Sequence, residues 1–332
     1  KGNYIQDLNG ANGKVFKWVQ PQNGQPQGRF EPAMFLVTPK KQQVLSVGAD
    51  YQITKATLIT TETAFSNYDA NTFSDIGNGD NKGFAVKLNL NNQKEFTNQS
   101  KLITNAGFEF VEAKFKPLER LRNVEFNREW GLELVEKPAD EAIIAASLKY
   151  EKKDLNIGYQ FSNLRRGADF DGYRNTIVHT QNIAGFSMNN VLQLTGFNTN
   201  SEKGYFFKPS FRINKTLTKI NNYELSIAYK TEHNEVKNKF SDSIVPRAFS
   251  FSIAEAGIKS SPAKNNKWGI TYYTRTDAYP LGKELERSDR SSNINLFADL
   301  LESNKHQFRV NATYRNLKIL NSVVTGLTPE QT

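Results

Sequence analysis

The feature that most limits what this chain can fold into is an alternation of apolar and polar side chains. It is sustained for about ten residues at a time and broken by short polar turns. In 306–315, Phe308, Val310, Ala312 and Tyr314 fall on one side of an extended strand, and Gln307, Arg309, Asn311, Thr313 and Arg315 on the other. In Tyr223–Lys230, Tyr223, Leu225, Ile227 and Tyr229 oppose Glu224, Ser226, Ala228 and Lys230. Successive side chains of a strand point to opposite faces, so each segment has a greasy side and a wet side. Repeated through most of 332 residues, the pattern predicts one large sheet. One of its faces meets something apolar, a second sheet or lipid, and the other meets water.

Composition narrows the choice. Hydrophobic residues are 38% and mean hydropathy is −0.60, yet aromatics reach 12%, with 23 Phe and 13 Tyr. Disordered chains are poor in aromatics, whereas a sheet with a hydrophilic interior and a thin apolar exterior combines low hydropathy with many rings. The chain has no cysteine, which excludes disulfides and thiolate zinc sites. The net charge is +9, but the basic residues are dispersed, in pairs at most, as in Lys40–Lys41, Lys152–Lys153 and Arg165–Arg166. Proteins that bind nucleic acid gather such charge on one face or tail, so no nucleic-acid partner is expected. Dispersed Lys and Arg suit a lumen wall or contact with anionic lipid headgroups. No apolar run approaches the ~18 residues of a spanning helix; the longest is Ala142–Leu148. The chain opens at Lys1 without a signal peptide and reads as a mature or internal segment.

Residues 1–42 are rich in Gly, Gln, Asn and Pro, with little alternation, and read as an irregular lead-in or a small soluble lobe. From residue 43 to 332 strands follow one another, expected at 43–54, 57–68, 83–91, 101–114, 141–151, 154–164, 174–185, 187–198, 205–214, 221–232, 248–259, 266–276, 292–300 and 306–318. Most connections are tight and polar; 234–247 and 277–291, the latter with Pro280 and Gly282, read as long loops on one side of the sheet. Sequential strands joined by tight turns make an antiparallel meander. Strands of about ten residues exceed the five or six usual in soluble sheets and match the nine to eleven of tilted membrane strands. Tyrosines near the ends of apolar faces (Tyr150, Tyr159, Tyr229, Tyr314) suit a lipid–water interface. Helical periodicity is weak, with at most a turn or two in 117–128. The expected fold class is therefore all-β, an antiparallel meander forming a transmembrane outer-membrane β-barrel or a large part of one. The chain closes on a Pro-containing turn, Leu327–Thr332, and more strands are expected beyond it.

Residues 66–83 carry hard oxygens close together, with Asp69, Asn71, Asp75, Asn78 and Asp80 beside Gly77 and Gly79. Calcium is the ion such a loop would take, although the spacing lacks the closing Glu of an EF-hand. Asn, Asp and Gly also simply form turns, and a hydrated hairpin loop is the alternative. No other cofactor is expected. Gly77-x-Gly79-x-x-x-Gly83 misses the dinucleotide fingerprint by one residue. The densest charged stretch is Phe115–Glu133, where Glu119, Arg120, Arg122, Glu125, Arg128 and Glu129 alternate in sign among Phe115, Leu118, Leu121, Phe126 and Trp130. Interspersed opposite charges neutralise one another, so a structural, ion-paired element is expected rather than a recognition ridge. His179, His233 and His306 lie far apart, and Gly185-x-Ser187-x-Asn189 fails as a nucleophile elbow. No catalytic residue is assigned and no enzyme activity expected.

Three runs resemble a known group: Asp50-Tyr51, the Glu62–Ser74 segment, and Phe115-x-Pro117-Leu118-Glu119-Arg120-x-Arg122-x-Val124-Glu125-Phe126-x-Arg128-x-Trp130. They look like segments of large Bacteroidota outer-membrane β-barrel proteins. The resemblance covers about a third of the chain and implies an outer-membrane location and a non-enzymatic role. Asp242-Ser243-Ile244, in one of the loops, is similar to the short O-glycosylation acceptor of that phylum. The expectation is a barrel segment serving transport, secretion or assembly in the cell outer membrane of a Gram-negative bacterium. Its partners would be outer-membrane lipid and lipopolysaccharide and other outer-membrane or periplasmic proteins. The rival is a soluble surface or periplasmic β-rich protein that binds glycans or partners.

Overall fold

The computed structural model describes residues 2–7, 14–32, 37–74, 76, 78–97, 99–132, 137–261, 266–300 and 306–326. The chain divides into two compact units, 1–41 with 69–78 and 42–68 with 79–332. In the first, β1 (Tyr4–Asp7) and β2 (Val15–Trp18) pair antiparallel. Isolated bridges join Gly2 to Gly28 and Tyr4 to Phe30, and the Phe16 and Phe30 rings lie 4.9 Å apart. Only glycine fits at position 2, where a Cβ would stand 2.1 Å from the Phe30 carbonyl oxygen.

The second unit is built on one fourteen-stranded antiparallel sheet in strict sequence order. The strands are β3 (Lys41–Thr54), β4 (Thr57–Asp69), β5 (Lys82–Glu95), β6 (Ser100–Val111), β7 (Glu141–Lys152), β8 (Leu155–Arg166) and β9 (Phe170–Ile183). They continue with β10 (Phe186–Asn198), β11 (Glu202–Leu217), β12 (Tyr223–Asn238), β13 (Phe249–Lys259), β14 (Lys267–Leu281), β15 (Glu284–Leu300) and β16 (Phe308–Ile319). All fourteen expected strands are present, and the all-β antiparallel meander is the fold. Its outer strands, β3 and β16, each have a single neighbour in the sheet, which is open. Two short helices complete the unit, α1 (Phe126–Trp130) and α2 (Ser322–Thr325). The expected turn leading out of the chain, Leu327–Thr332, lies outside the described residues.

The strands run from eleven to seventeen residues, longer than the alternation alone marks, because several continue as polar hairpins. The expected loop 277–291 is one of these. β14 and β15 run on to Leu281 and Glu284 and turn through Lys283 and Gly282, the latter at φ 65°. Near the base of that hairpin a bulge lets Ser288, fully buried, donate to the Asp277 carbonyl oxygen at 3.1 Å. The connection 239–248 between β12 and β13 is a true loop. In a meander alternate connections share one end of the sheet, so 239–248 and 282–283 do lie at the same end, together with 112–140.

Register sorts the side chains into two faces. Phe308, Val310, Ala312 and Tyr314 of β16 stand opposite Leu300, Ala298, Leu296 and Ile294 of β15. The same face continues through Trp268, Ile270 and Tyr272 on β14, Leu225, Ile227 and Tyr229 on β12, and Phe211 and Ile213 on β11. Across the rest of the sheet it carries Leu192 and Leu194 on β10, Ile157 and Tyr159 on β8, Leu148 and Tyr150 on β7, Phe108 on β6 and Leu88 on β5. Many of these side chains stand open, Ile227 at 68%. Three or four alternate apolar positions per strand span about 13–20 Å along it at ~3.3 Å per residue.

Candidate functional site

The opposite face is polar and supports the longest connection between strands, residues 112–140, whose described residues 112–132 and 137–140 pack on it as a strap. The Lys116 backbone N–H donates to Ser66 Oγ of β4 at 2.9 Å, and further along the strap the Arg122 guanidinium donates to Glu109 of β6 at 2.5 Å and to Glu141 of β7 at 3.0 and 3.2 Å. Arg166 of β8 clamps Glu141 from the other side at 3.0 Å and caps the Lys137 carbonyl oxygen at 2.7 Å. The chain then forms α1, which ends on Gly131 in the left-handed region at φ 74°. A Cβ at Gly131 would meet the Phe197 ring at 2.2 Å, so the close turn over the sheet requires glycine.

Beneath α1 lies the only core cluster among the described residues, with Trp130 packed among Leu164, Phe170, Phe197, Phe206 and Val236 of β8–β12. Phe170 stacks on Phe197 at 5.6 Å, and Phe206 meets Phe197 edge-on at 5.6 Å. Charges ring the cluster. Arg174 of β9 sits over the Trp130 ring at 4.3 Å and donates to Glu129 at 3.1 Å. Glu232 of β12 accepts from Lys208 at 2.8 Å, from Asn234 at 2.8 Å and from Arg128 at 3.5 Å. Within the expected charged stretch, Arg128 with Glu125 at 2.5 Å is the one internal pair among the described residues; Glu133 lies outside them. The other partners are strand residues. Only five residues of the stretch are helical, so most of its charges lack the i,i+4 geometry that would pair them with one another.

The expected calcium residues are dispersed in role. Asp69 Oδ1 accepts from the Asn71 backbone N–H at 2.9 Å, and Asn71 Oδ1 accepts from Phe73 N–H at 3.2 Å, both ordinary turn bonds. Asp80 belongs to a 3₁₀ turn, Asn78–Asp80, and Asp75 lies outside the described residues. Among the described residues no three His, Cys, Asp or Glu are grouped to hold a metal ion. The histidines remain apart. His179, on the apolar face, contacts Asn190 at 3.0 Å, and His233 lies 3.4 Å from Glu235. In the 239–248 loop, Ser243 and Ser241 hydroxyls are 2.6 Å apart and Ile244 is buried.

Alternation by itself hides the core cluster, although one signal points to it. Leu164 is out of phase with Leu155, Ile157, Tyr159 and Phe161, and Phe206 with Tyr205 and Phe207. Large apolar residues on the polar parity mark where something packs on the wet face. No family model matches the chain, and no curated protein or solved structure is significantly similar to it.

Proposed function

We propose that this chain is a non-enzymatic segment of an integral outer-membrane β-barrel that serves transport, secretion or assembly. Its apolar face meets lipid and its polar face walls an aqueous passage. One observation carries the reading: an open apolar face extends across the middle of the meander, while the packed core and the Arg122 and Glu232 charge networks lie on the other side. Leaving so much apolar surface in water costs ~25 cal/mol per Å², and contiguous patches beyond a few hundred Å² mark a partner or a membrane. Strands of eleven or more residues suit the second of these. Backbone polar groups inside a bilayer are satisfied only by helices or by paired strands, and no helix among the described residues is long and apolar enough to cross.

Adjacent residues of β9 provide the test. Ile177 on the apolar face and Val178 on the polar face are 44% and 40% exposed, so water alone would treat cysteines at the two sites alike. The natural chain has no cysteine to interfere. In lipid vesicles a hydrophilic thiol reagent is expected to label Val178→Cys and spare Ile177→Cys. Equal labelling of the two would overturn the membrane reading and favour a soluble sheet.

A further inference from the structure

One row of the polar face is free of charge over six consecutive strands. Asn91 of β5 pairs in register with Asn105 of β6, and the row continues through Ser147, Gln160, Thr176 and Gln193 of β7 to β10. At ~4.8 Å between strands, the six make a track of roughly 24 Å across the sheet. One end of the row is knitted together, with Asn91 Nδ2 donating to Asn105 Oδ1 at 2.5 Å and Asn105 Nδ2 to Ser147 Oγ at 3.1 Å. At the other end Gln160, Thr176 and Gln193 make no side-chain hydrogen bond among the described residues. Beside the row the floor drops to Gly107 and Ala145, which with Asn105, Ser147 and Gln160 line a recess of about 270 Å³.

Charges border the track, each held in an ion pair, and Lys208 of β11, in register with Gln193 at the row's end, is bound to Glu232 at 2.8 Å. Glu151 is held between Lys101 and Lys149 at 2.8 and 2.5 Å on one side, and the Glu109–Arg122–Glu141–Arg166 chain closes the other. We infer that the row is a binding track for an uncharged, hydroxyl-rich solute of the oligosaccharide class, an inference that rests on the polar face being the wall of the passage proposed above. Amides and hydroxyls both donate and accept, as do the hydroxyls of such a solute. An ionic ligand would lose its hydration on the row and find at its borders only charges already held in ion pairs, and an apolar one would leave the row's polar groups unpaired. An extended peptide is taken up along a sheet edge, where backbone groups are free, rather than on a face.

The test uses the chain in detergent micelles with maltohexaose as the neutral probe, read by saturation-transfer NMR and calorimetric titration. Maltohexaose is expected to bind at least tenfold more tightly than its sulfated form. The combined Gln160→Ala, Thr176→Ala and Gln193→Ala variant should weaken it at least tenfold; should that variant misfold, Gln160→Glu alone is expected to do the same. The proposal fails if the folded chain gives no transfer to maltohexaose, if the variants bind as well as the parent, or if a neutral Gly/Ser peptide binds more tightly. Micelle binding is independent of membrane facing. Absent binding with Ile177→Cys shielded by lipid sinks the track and spares the barrel, and binding with Ile177→Cys open to water does the reverse.

Discussion

Arg122 joins three separate pieces of chain, the strap, β6 and β7, and its side chain is only 19% exposed. An exposed pair is worth under ~1 kcal/mol, whereas removing one member of a buried pair costs ~3–5 kcal/mol because the remaining charge is stranded. Here two carboxylates would be stranded, so Arg122→Ala is expected to lower stability by about 3 kcal/mol in urea melts in micelles, with maltohexaose affinity of the folded fraction unchanged. Arg122→Lys should recover less than half of that, since a point charge cannot fork to Glu109 and Glu141 together. An Arg122→Ala protein as stable as the parent would mean the network is ornamental. The sequence displayed this residue among alternating charges but not its partners. Glu109 and Glu141 are distant in sequence, and only strand pairing brings them to one place. Gly204 makes a similar point: a Cβ there would stand 1.9 Å from the buried Phe197 ring, a demand invisible in the sequence.

At the scale of elements, the alternation located every strand of the large sheet because its period of two is the strand's own period, and it missed β1 and β2, four residues each, in the lead-in where little alternation shows. It failed where polarity ceased to alternate. β12 runs on to Asn238 and β15 begins at Glu284 because backbone pairing continues after the apolar face has ended. Pro280 and Gly282 suggested a loop, yet Pro280 sits within the ladder opposite Leu285 and Gly282 occupies a two-residue turn. The two connections should therefore differ in protease sensitivity. Limited proteolysis is expected to cut within 239–248, where Phe240 is 84% exposed, and to leave the 282–283 turn intact. Cleavage at both with equal ease would mean the β14–β15 hairpin frays in solution. The strap yields a second expectation. Trp130→Ala removes the ring that fills the cluster on β8–β12 and should cost ~3–5 kcal/mol. Its near-ultraviolet signal should disappear while far-ultraviolet strand content persists, since the sheet pairs without it.

For the whole molecule, the decisive issue is the two open edges. β3 and β16 each present a row of backbone donors and acceptors to no strand partner in the sheet, and in hydrocarbon each such group costs several kcal/mol. Both edges nevertheless continue the apolar face, with Leu45, Val47, Tyr51 and Ile53 on one and Phe308, Val310 and Tyr314 on the other, all well exposed or nearly so. Thirteen steps of antiparallel pairing separate them, so β3 and β16 run antiparallel to each other and either could accept a further antiparallel strand. A chain embedded in lipid must therefore pair these edges, with each other, with a second copy, or with strands of another segment. Amide deuterium exchange reads this directly. In lipid vesicles β3 and β16 are expected to exchange as slowly as β8 in the middle of the sheet, and in detergent-free buffer far faster. Edges that exchange quickly in lipid would show that the sheet lies outside the hydrocarbon, and the open apolar face would then belong to a protein partner.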